Sequence, residues 1–213
     1  MDFTFFSEQI SKIKDLPLLG EVSHFKMAPE SRIKELRANR INMKNAKKAA
    51  VMALFYPNEE GDTYLLLILR KTYKGVHSNQ IALPGGKVEY IDTGLQSTAL
   101  RETEEEVGVP SNKVTVIRSL SKVYIPPSNF EVQPFVGLYK KPSSFVRQES
   151  EVEALVPVSL VDFLDDSKII EEKLKTSYSE NITVPAFKLN GYTVWGATAM
   201  ILSEIKDLLK QVL

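Results

Sequence analysis

Residues 101–108 read Arg101-Glu102-Thr103-Glu104-Glu105-Glu106-Val107-Gly108, and the placement of their acids governs how the surrounding chain is read. Glu102, Glu105 and Glu106 are three and four residues apart, so a helix sets them on one face and turns Glu104 away. The helix predicted over 93–107 stops at Gly108, a residue suited to the left-handed backbone of a C-terminal cap. The three acids therefore stand in its last turns, at the negative end of the macrodipole. There each carboxylate costs a few tenths to about 1 kcal/mol. Like charges at these spacings repel as well. A helix built for stability alone places lysines here, whereas a bound divalent cation reverses the penalty. Arg101, four residues before Glu105, is placed to brace the group. A solvated acidic face is the alternative, and Glu104 fits it.

Working outward, Pro84-Gly85-Gly86 breaks the chain sharply before this helix, and the two glycines let backbone approach a ligand closely. Upstream, 49–56 and 64–69 are near-continuous apolar runs that read as a buried strand pair. Helices are predicted at 3–13 and about 29–38, with the basic stretch 40–48 as a linker. Downstream, 114–120 and 130–139 read as strands separated by Pro126-Pro127. A short strand is expected at 155–158, turning into 160–164. Asn190-Gly191 predicts a hairpin between 183–188 and 192–195. The helix from Ala197 is interrupted by Glu204, Lys206, Asp207 and Lys210 and reads as a packed surface helix. Strands and helices intermix without internal repeats, so the class is an α/β (α+β) sandwich.

The 213 residues fit one domain with an extension, and 27 basic residues balance 27 acidic ones. That balance gives no reason to expect nucleic acid or an anionic membrane as partner. Cys is absent, which excludes thiolate metal sites, and two histidines, His24 and His77, argue against a His-rich zinc site. A metal bound by carboxylates alone is a hard one, Mg²⁺ or Mn²⁺. No apolar run is long enough for a signal peptide or membrane span, which predicts a cytoplasmic protein.

The segment 86–109 resembles the signature of the Nudix hydrolases, G-x5-E-x7-R-E-U-x-E-E-x-G-U with U aliphatic. Gly86, Arg101, Glu102, Glu105, Glu106, Gly108 and Val109 stand in its places. Asp92 stands where the signature has Glu, eight residues rather than seven separate it from Arg101, and Thr103 replaces an aliphatic residue. The Asp and the extra residue are similar to the branch of the family that hydrolyses coenzyme A. That branch's upstream pattern, L-L-x-x-R-[SA]-x3-R-x3-G-x3-F-P-G-G, is matched by Leu66, Leu67, Arg70, Pro84, Gly85 and Gly86. It is not matched by Lys71, Gly75, Asn79 and Leu83. Residues 128–134 and 195–199 are also similar to that branch.

The resemblance implies an α/β/α sandwich with a mixed β-sheet, formed by a Nudix domain over 41–213 and an N-terminal helical extension over 1–40. The extension is read either as a cover for the core or as a homodimer interface. The resemblance further implies that Glu102, Glu105, Glu106 and the Gly86 carbonyl bind Mg²⁺ or Mn²⁺ for cleavage of a diphosphate bond in a small nucleotide substrate. Arg101 supports them, and Glu102 or Glu151 is the general base. Arg70, Lys71 and Lys74 are candidates for phosphate contacts, and His77 for a further donor. Phe130 and Tyr124 are candidates to stack on a base, with loop packing as the alternative; Trp195 is read as core. Three activities are compatible with these residues. They are cleavage of coenzyme A or acyl-coenzyme A, cleavage of another nucleoside diphosphate derivative such as ADP-ribose or a dinucleotide, and nucleotide sensing without catalysis.

Overall fold

A computed structural model describes residues 1–38, 45–72, 79–176 and 179–213, with backbone alone at 175, 176 and 179–181. The central strand is β1 (Lys47–Pro57), whose residues from Ala49 to Tyr56 are almost all buried. It runs parallel to β7 (Phe130–Leu138) over nine residue pairs, from Lys47↔Phe130 to Phe55↔Leu138. Burial on both faces explains why this strand reads as a continuous apolar run rather than an alternating one.

The other edge of β1 is shared. Its C-terminal half pairs antiparallel with β2 (Thr63–Arg70), and its N-terminal half pairs with β4 (Gly85–Lys87). The short β3 (Ile81–Ala82) and β8 (Val152–Ser159) both pair with β2. Across the sheet β5 (Thr115–Ser119) and β6 (Val123–Ile125) pair with β7. The sheet is therefore mixed, as expected, and its divergence between β2 and β4 brings Gly85-Gly86 into its middle.

One face of the sheet is covered by α4 (Leu95–Val107), with Ala99 and Val107 packed against Met52, Leu54 and Leu66. The other face is covered by α6 (Gly196–Leu209) and α1 (Phe3–Ile10), with Leu202, Ile205, Phe6 and Ile10 packed among Phe55, Leu67 and Val136. That is the three-layer sandwich. A second sheet of β9 (Ile169–Thr176), β10 (Ser179–Leu189) and β11 (Tyr192–Val194) follows α5 (Leu160–Leu164). The Asn190-Gly191 turn has positive φ at both residues (45° and 80°), as a two-residue hairpin turn requires. Strand β9 was not expected from the sequence. Among the described residues, no helix is long and apolar enough to cross a membrane.

The C-terminal helix differs from its reading as a surface helix, since ten of its residues are buried, Glu204 and Lys206 included. The cause is the N-terminal extension, whose α2 (Glu21–His24) and the 3-10 turn Phe25–Met27 lie across α6, followed by α3 (Glu30–Ala38). The Glu204 carboxylate, fully inaccessible to solvent, accepts hydrogen bonds from Leu19 N (3.2 Å), Gly20 N (3.0 Å), Ser121 N (3.1 Å) and Ser121 Oγ (2.6 Å). His24 Nε2 lies 3.1 Å from its other face. A charge buried this deeply persists only when its lone pairs are satisfied, and here the extension satisfies most of them. Residues 19, 20 and 24 thus meet α6 through Glu204, and Phe6, Ile10 and Met27 belong to the same buried cluster as Leu202 and Ile205.

Burial pushes the Glu204 carboxyl up, but His24, Ser121 and the Gly20 N–H outweigh it and hold it at about 2. Because its folded value lies below its unfolded one, its stabilisation is complete above the ordinary carboxyl range and is lost as pH falls towards 2. The full contribution is on the order of 3 kcal/mol. Glu204→Gln is expected to lower stability at pH 7 by about 2–4 kcal/mol. It should also flatten the acid limb of a urea-denaturation series between pH 5 and pH 2. An unchanged midpoint at pH 7 would show that the extension is not held by this carboxylate.

Candidate active site

Helix α4 starts after Gly94, whose N–H donates to Ser97 Oγ (3.0 Å), and ends at Gly108 with φ +72°. Glu104 turns away, as expected, and accepts from Ser111 N and Oγ at 3.0 and 2.6 Å. Thr103 is fully buried, and its hydroxyl donates to the Ala99 carbonyl one turn back at 2.6 Å. A threonine thus substitutes for an aliphatic residue at this place without an unsatisfied polar atom.

The remaining acids face strand β4. Glu102 lies so close to Gly86 that a Cβ there would stand 2.5 Å from its carboxylate. Gly85, at φ +150°, is pressed as tightly on the other side, since its Cβ would meet the Ala50 carbonyl oxygen at 2.3 Å. Both glycines are therefore dictated by close approach of backbone. Glu106 is buried; its Oε2 accepts from Gly85 N at 2.8 Å, and Arg70 Nη1 lies 3.4 Å from Oε1. Burial pushes the Glu106 carboxyl up to about 7 against the pull of Arg70 and the Gly85 N–H, with Glu102 and Glu151 adding to the rise. Glu102 is raised as well, first by burial and then, against Arg101, by the charges of Glu105 and Glu151.

Arg101 gathers the rest. Its guanidinium reaches Asp92 (2.9 and 3.1 Å), Glu102 (3.0 Å), Glu105 (2.9 Å) and the Lys87 carbonyl (3.1 Å). Asp92 also accepts from Thr98 Oγ1 and Glu89 N, and with Arg101 as the main cause its carboxyl is held down at about 2. Asp92 therefore fastens the loop before α4 to Arg101. Among the described residues, no three Asp, Glu or His side chains converge as they stand on a point that one ion can share. Glu102 and Glu105 are instead spread around the guanidinium.

The donor set nonetheless fits a hard cation: three carboxylates and the backbone of Gly86, with no sulfur or imidazole. Two of the carboxylates are held partly out of water with raised pKa values, a state that a divalent ion relieves.

Glu151 is exposed in the turn before β8, and its carbonyl accepts from Lys71 N at 2.8 Å. Its charge adds, as a minor cause, to the raised pKa values of Glu102 and Glu106. Lys71 Nζ donates to the Glu149 carbonyl at 2.7 Å and so leans along the surface. Lys74 and His77, the other two candidates for substrate contact, lie outside the described residues.

Beside β4 opens a cavity of about 400 Å³, bordered by Arg70, Gly85, Gly86, Phe130, Tyr124 and Trp195. Phe130 is half-buried, with Lys47 Nζ 5.7 Å from its ring centre, and Tyr124 Oη donates to Asn129 Oδ1 at 3.0 Å. Trp195, read as core, instead borders the cavity and is half-buried. The extension also contributes to the wall, which sequence reading missed; nothing local in residues 27–32 marks them as neighbours of Gly86. Asn79 has φ +55°, a left-handed backbone that Asn tolerates. Its place where the branch pattern has Gly is therefore sterically accommodated.

Since Glu106 is protonated more readily in the folded than in the unfolded protein, metal-free stability should fall as pH rises from about 5 through 7. Glu106→Gln is expected to remove that fall. Mg²⁺ should restore stability at pH 8 to the wild type and not to the variant. Thermal denaturation at pH 5, 6.5 and 8 with and without Mg²⁺ checks this, and identical pH profiles for the two proteins would contradict it.

The NUDIX domain model matches residues 46–174. Nudix hydrolase 15, mitochondrial, of Arabidopsis thaliana is 32% identical over 162 residues, covering 73% of this chain and 56% of that protein. Nudix hydrolase NudL of Yersinia enterocolitica is 34% identical over 141 residues, covering 66% of this chain and 71% of that protein. The chain spans about half the length of the Arabidopsis relatives. Among solved structures, the Nudix hydrolase RenU of M. smegmatis superimposes with a TM-score of 0.54 at 17% identity, covering 79% of this chain and 88% of that one. A C. elegans Ap4A hydrolase does so at 0.52 and 16% identity, covering 78% and 98%. The family model, the relatives and the shared fold agree with the geometry of α4 and β4: the chain belongs to the Nudix hydrolase family.

Proposed function

We propose that the protein hydrolyses the diphosphate bond of coenzyme A or acyl-coenzyme A, giving 3′,5′-ADP and (acyl-)phosphopantetheine. The observation that carries this reading is the junction of the acid cluster with the cavity. Gly85-Gly86 backs onto Glu102 and Glu106 on one side and borders a largely apolar cavity on the other. The charged side chains bordering that cavity, among the described residues, are Arg32, Arg70 and Lys87, all cations. A substrate that is anionic at one place and bulky and less polar elsewhere suits it. The coenzyme A branch is favoured by Asp92 and the extra residue before Arg101, whereas Asn79 departs from its pattern.

Glu102, Glu105, Glu106 and the Gly86 carbonyl would hold Mg²⁺ or Mn²⁺. When bound, the metal neutralises diphosphate oxygens and lowers the pKa of a water. Arg70, beside Glu106, would meet a phosphate oxygen. Arg101 orients Glu102 and Glu105 through the hydrogen bonds above. Water adds to phosphorus, the P–O–P bond breaks, and the water's proton passes to Glu102 or Glu151. Gly75, where the branch pattern has Arg, favours a second reading in which another nucleoside diphosphate derivative, such as ADP-ribose or a dinucleotide, is the substrate. A sensing module has no use for the complete acid set.

Incubation with Mg²⁺ or Mn²⁺ and a panel of coenzyme A, ADP-ribose, NADH and diadenosine compounds tests this. Coenzyme A is expected to be cut fastest. Glu105→Gln should lower kcat by about a hundredfold or more while leaving the fold intact. Faster cleavage of ADP-ribose would favour the second reading, and no turnover of any compound under either metal would rule out the enzyme.

A further inference from the structure

Three aromatic side chains border the cavity beside β4, those of Tyr124, Phe130 and Trp195. Two of them already have partners. Lys47 Nζ lies over the Phe130 ring, 5.7 Å from its centre, and Tyr124 Oη is tied to Asn129 at 3.0 Å. Trp195 is the exception. Among the described residues, no ring stacks on it, no cation stands over it, and no protein group accepts from its indole N–H.

The backbone on both sides of Trp195 is nevertheless fixed. Val194, before it, is buried and pairs with Phe187 at the end of β11. After it, Gly196 at φ +64° turns the chain into α6, and Thr198 Oγ1 donates to the Ile81 carbonyl at 3.1 Å, which ties the first turn of α6 to β3. Residues 195 to 198 are each half-buried and each border the cavity, whereas residues 199 to 206 are all buried. The start of the helix is thus left open where the cavity lies. A large aromatic ring held there without a partner lacks the stacking contact that such rings favour, and a flat ligand supplies it. A nucleotide carries one flat aromatic group, its base, and bases stack on aromatic side chains whatever their identity.

We propose that Trp195 is a substrate-binding residue whose indole ring stacks on the nucleobase, the part for which Phe130 and Tyr124 were the candidates from sequence. The inference rests on the reading above in taking the substrate to be a nucleotide bound in this cavity. It holds for coenzyme A, ADP-ribose and a dinucleotide alike, since each carries a base.

Trp195 is the single tryptophan of the chain, so the tryptophan fluorescence of the wild type reports on this residue alone. Its emission is followed as adenosine 5′-monophosphate or ribose 5-phosphate is added with Mg²⁺, and calorimetry gives the two affinities; neither compound has a diphosphate bond to be cut. The monophosphate is expected to quench the emission to a plateau, and ribose 5-phosphate, which has no base, to leave it unchanged. The wild type should bind the monophosphate at least about tenfold more tightly, the effect of one base stacked on an aromatic side chain. Trp195→Ala should bring the two affinities together by weakening the monophosphate alone, and Trp195→Phe, which keeps a ring, should retain part of the preference. Should Trp195→Ala fail to fold, the wild-type emission decides. The proposal is overturned if the monophosphate does not bind or binds without changing the emission, or if ribose 5-phosphate changes it equally. It is overturned as well if a folded Trp195→Ala protein keeps the preference or loses affinity for both compounds alike. A wild type quenched by the monophosphate that cuts no diphosphate compound defeats the reading above and not this one. Cleavage of coenzyme A by a protein whose emission the monophosphate leaves unchanged does the reverse.

Discussion

A single guanidinium, that of Arg101, stands among Asp92, Glu102 and Glu105, while a fourth carboxylate, Glu106, is buried beside them against Gly85. So much negative charge at the C-terminal end of a helix works against folding, through the macrodipole and through mutual repulsion. Arg101 offsets part of it and Arg70 another part. Burial, and after it the charges of neighbouring acids, raise the pKa values of Glu102 and Glu106. Much of the neighbouring structure is arranged to tolerate this cluster. Asp92 ties the preceding loop to Arg101, Gly86 leaves room for the Glu102 carboxylate, and β1 holds β4 in register beneath both.

The opposite side of the molecule uses a buried acid differently. Glu204 is inaccessible and fully provided with donors, so its carboxyl is held low where Glu106 is pushed high. Two acids that are both shut off from solvent thus shift in opposite directions, Glu204 having more donors and Glu106 the larger burial penalty. Glu204 serves to join two ends of the chain that are far apart in sequence. Further along the same segment, Met27, Ala28 and Arg32 border the cavity.

The architecture was legible where local chemistry and tertiary environment agree. The buried run of β1, the Gly108 stop and the Asn190-Gly191 turn each carry their structure in a few residues. Strand β4 was not legible, because Gly85-Gly86-Lys87 forms a strand through the absence of side chains, which lets backbone lie against Ala50 and Val51. Strand β9 escaped notice because its described side chains, from Ile169 to Leu174, are nowhere fully buried; backbone pairing to β10 holds it rather than an apolar face. The charges in α6 suggested a surface, since sequence alone does not show that the extension brings partners to Glu204. At the candidate site the acids and Arg101 were readable from spacing. The cavity was not, because segments around residues 30, 85, 125 and 195 build it together.

Central to all of this is the claim that the acids at the end of α4 form a site for a divalent cation. Titration with Mn²⁺ followed by electron paramagnetic resonance, which counts free ion directly, tests it most simply. The wild type is expected to bind Mn²⁺ in competition with Mg²⁺, and the double variant Glu102→Gln, Glu106→Gln to lose at least about tenfold in affinity. Binding of Mn²⁺ that is unchanged in a folded double variant, or no binding by the wild type, would contradict it.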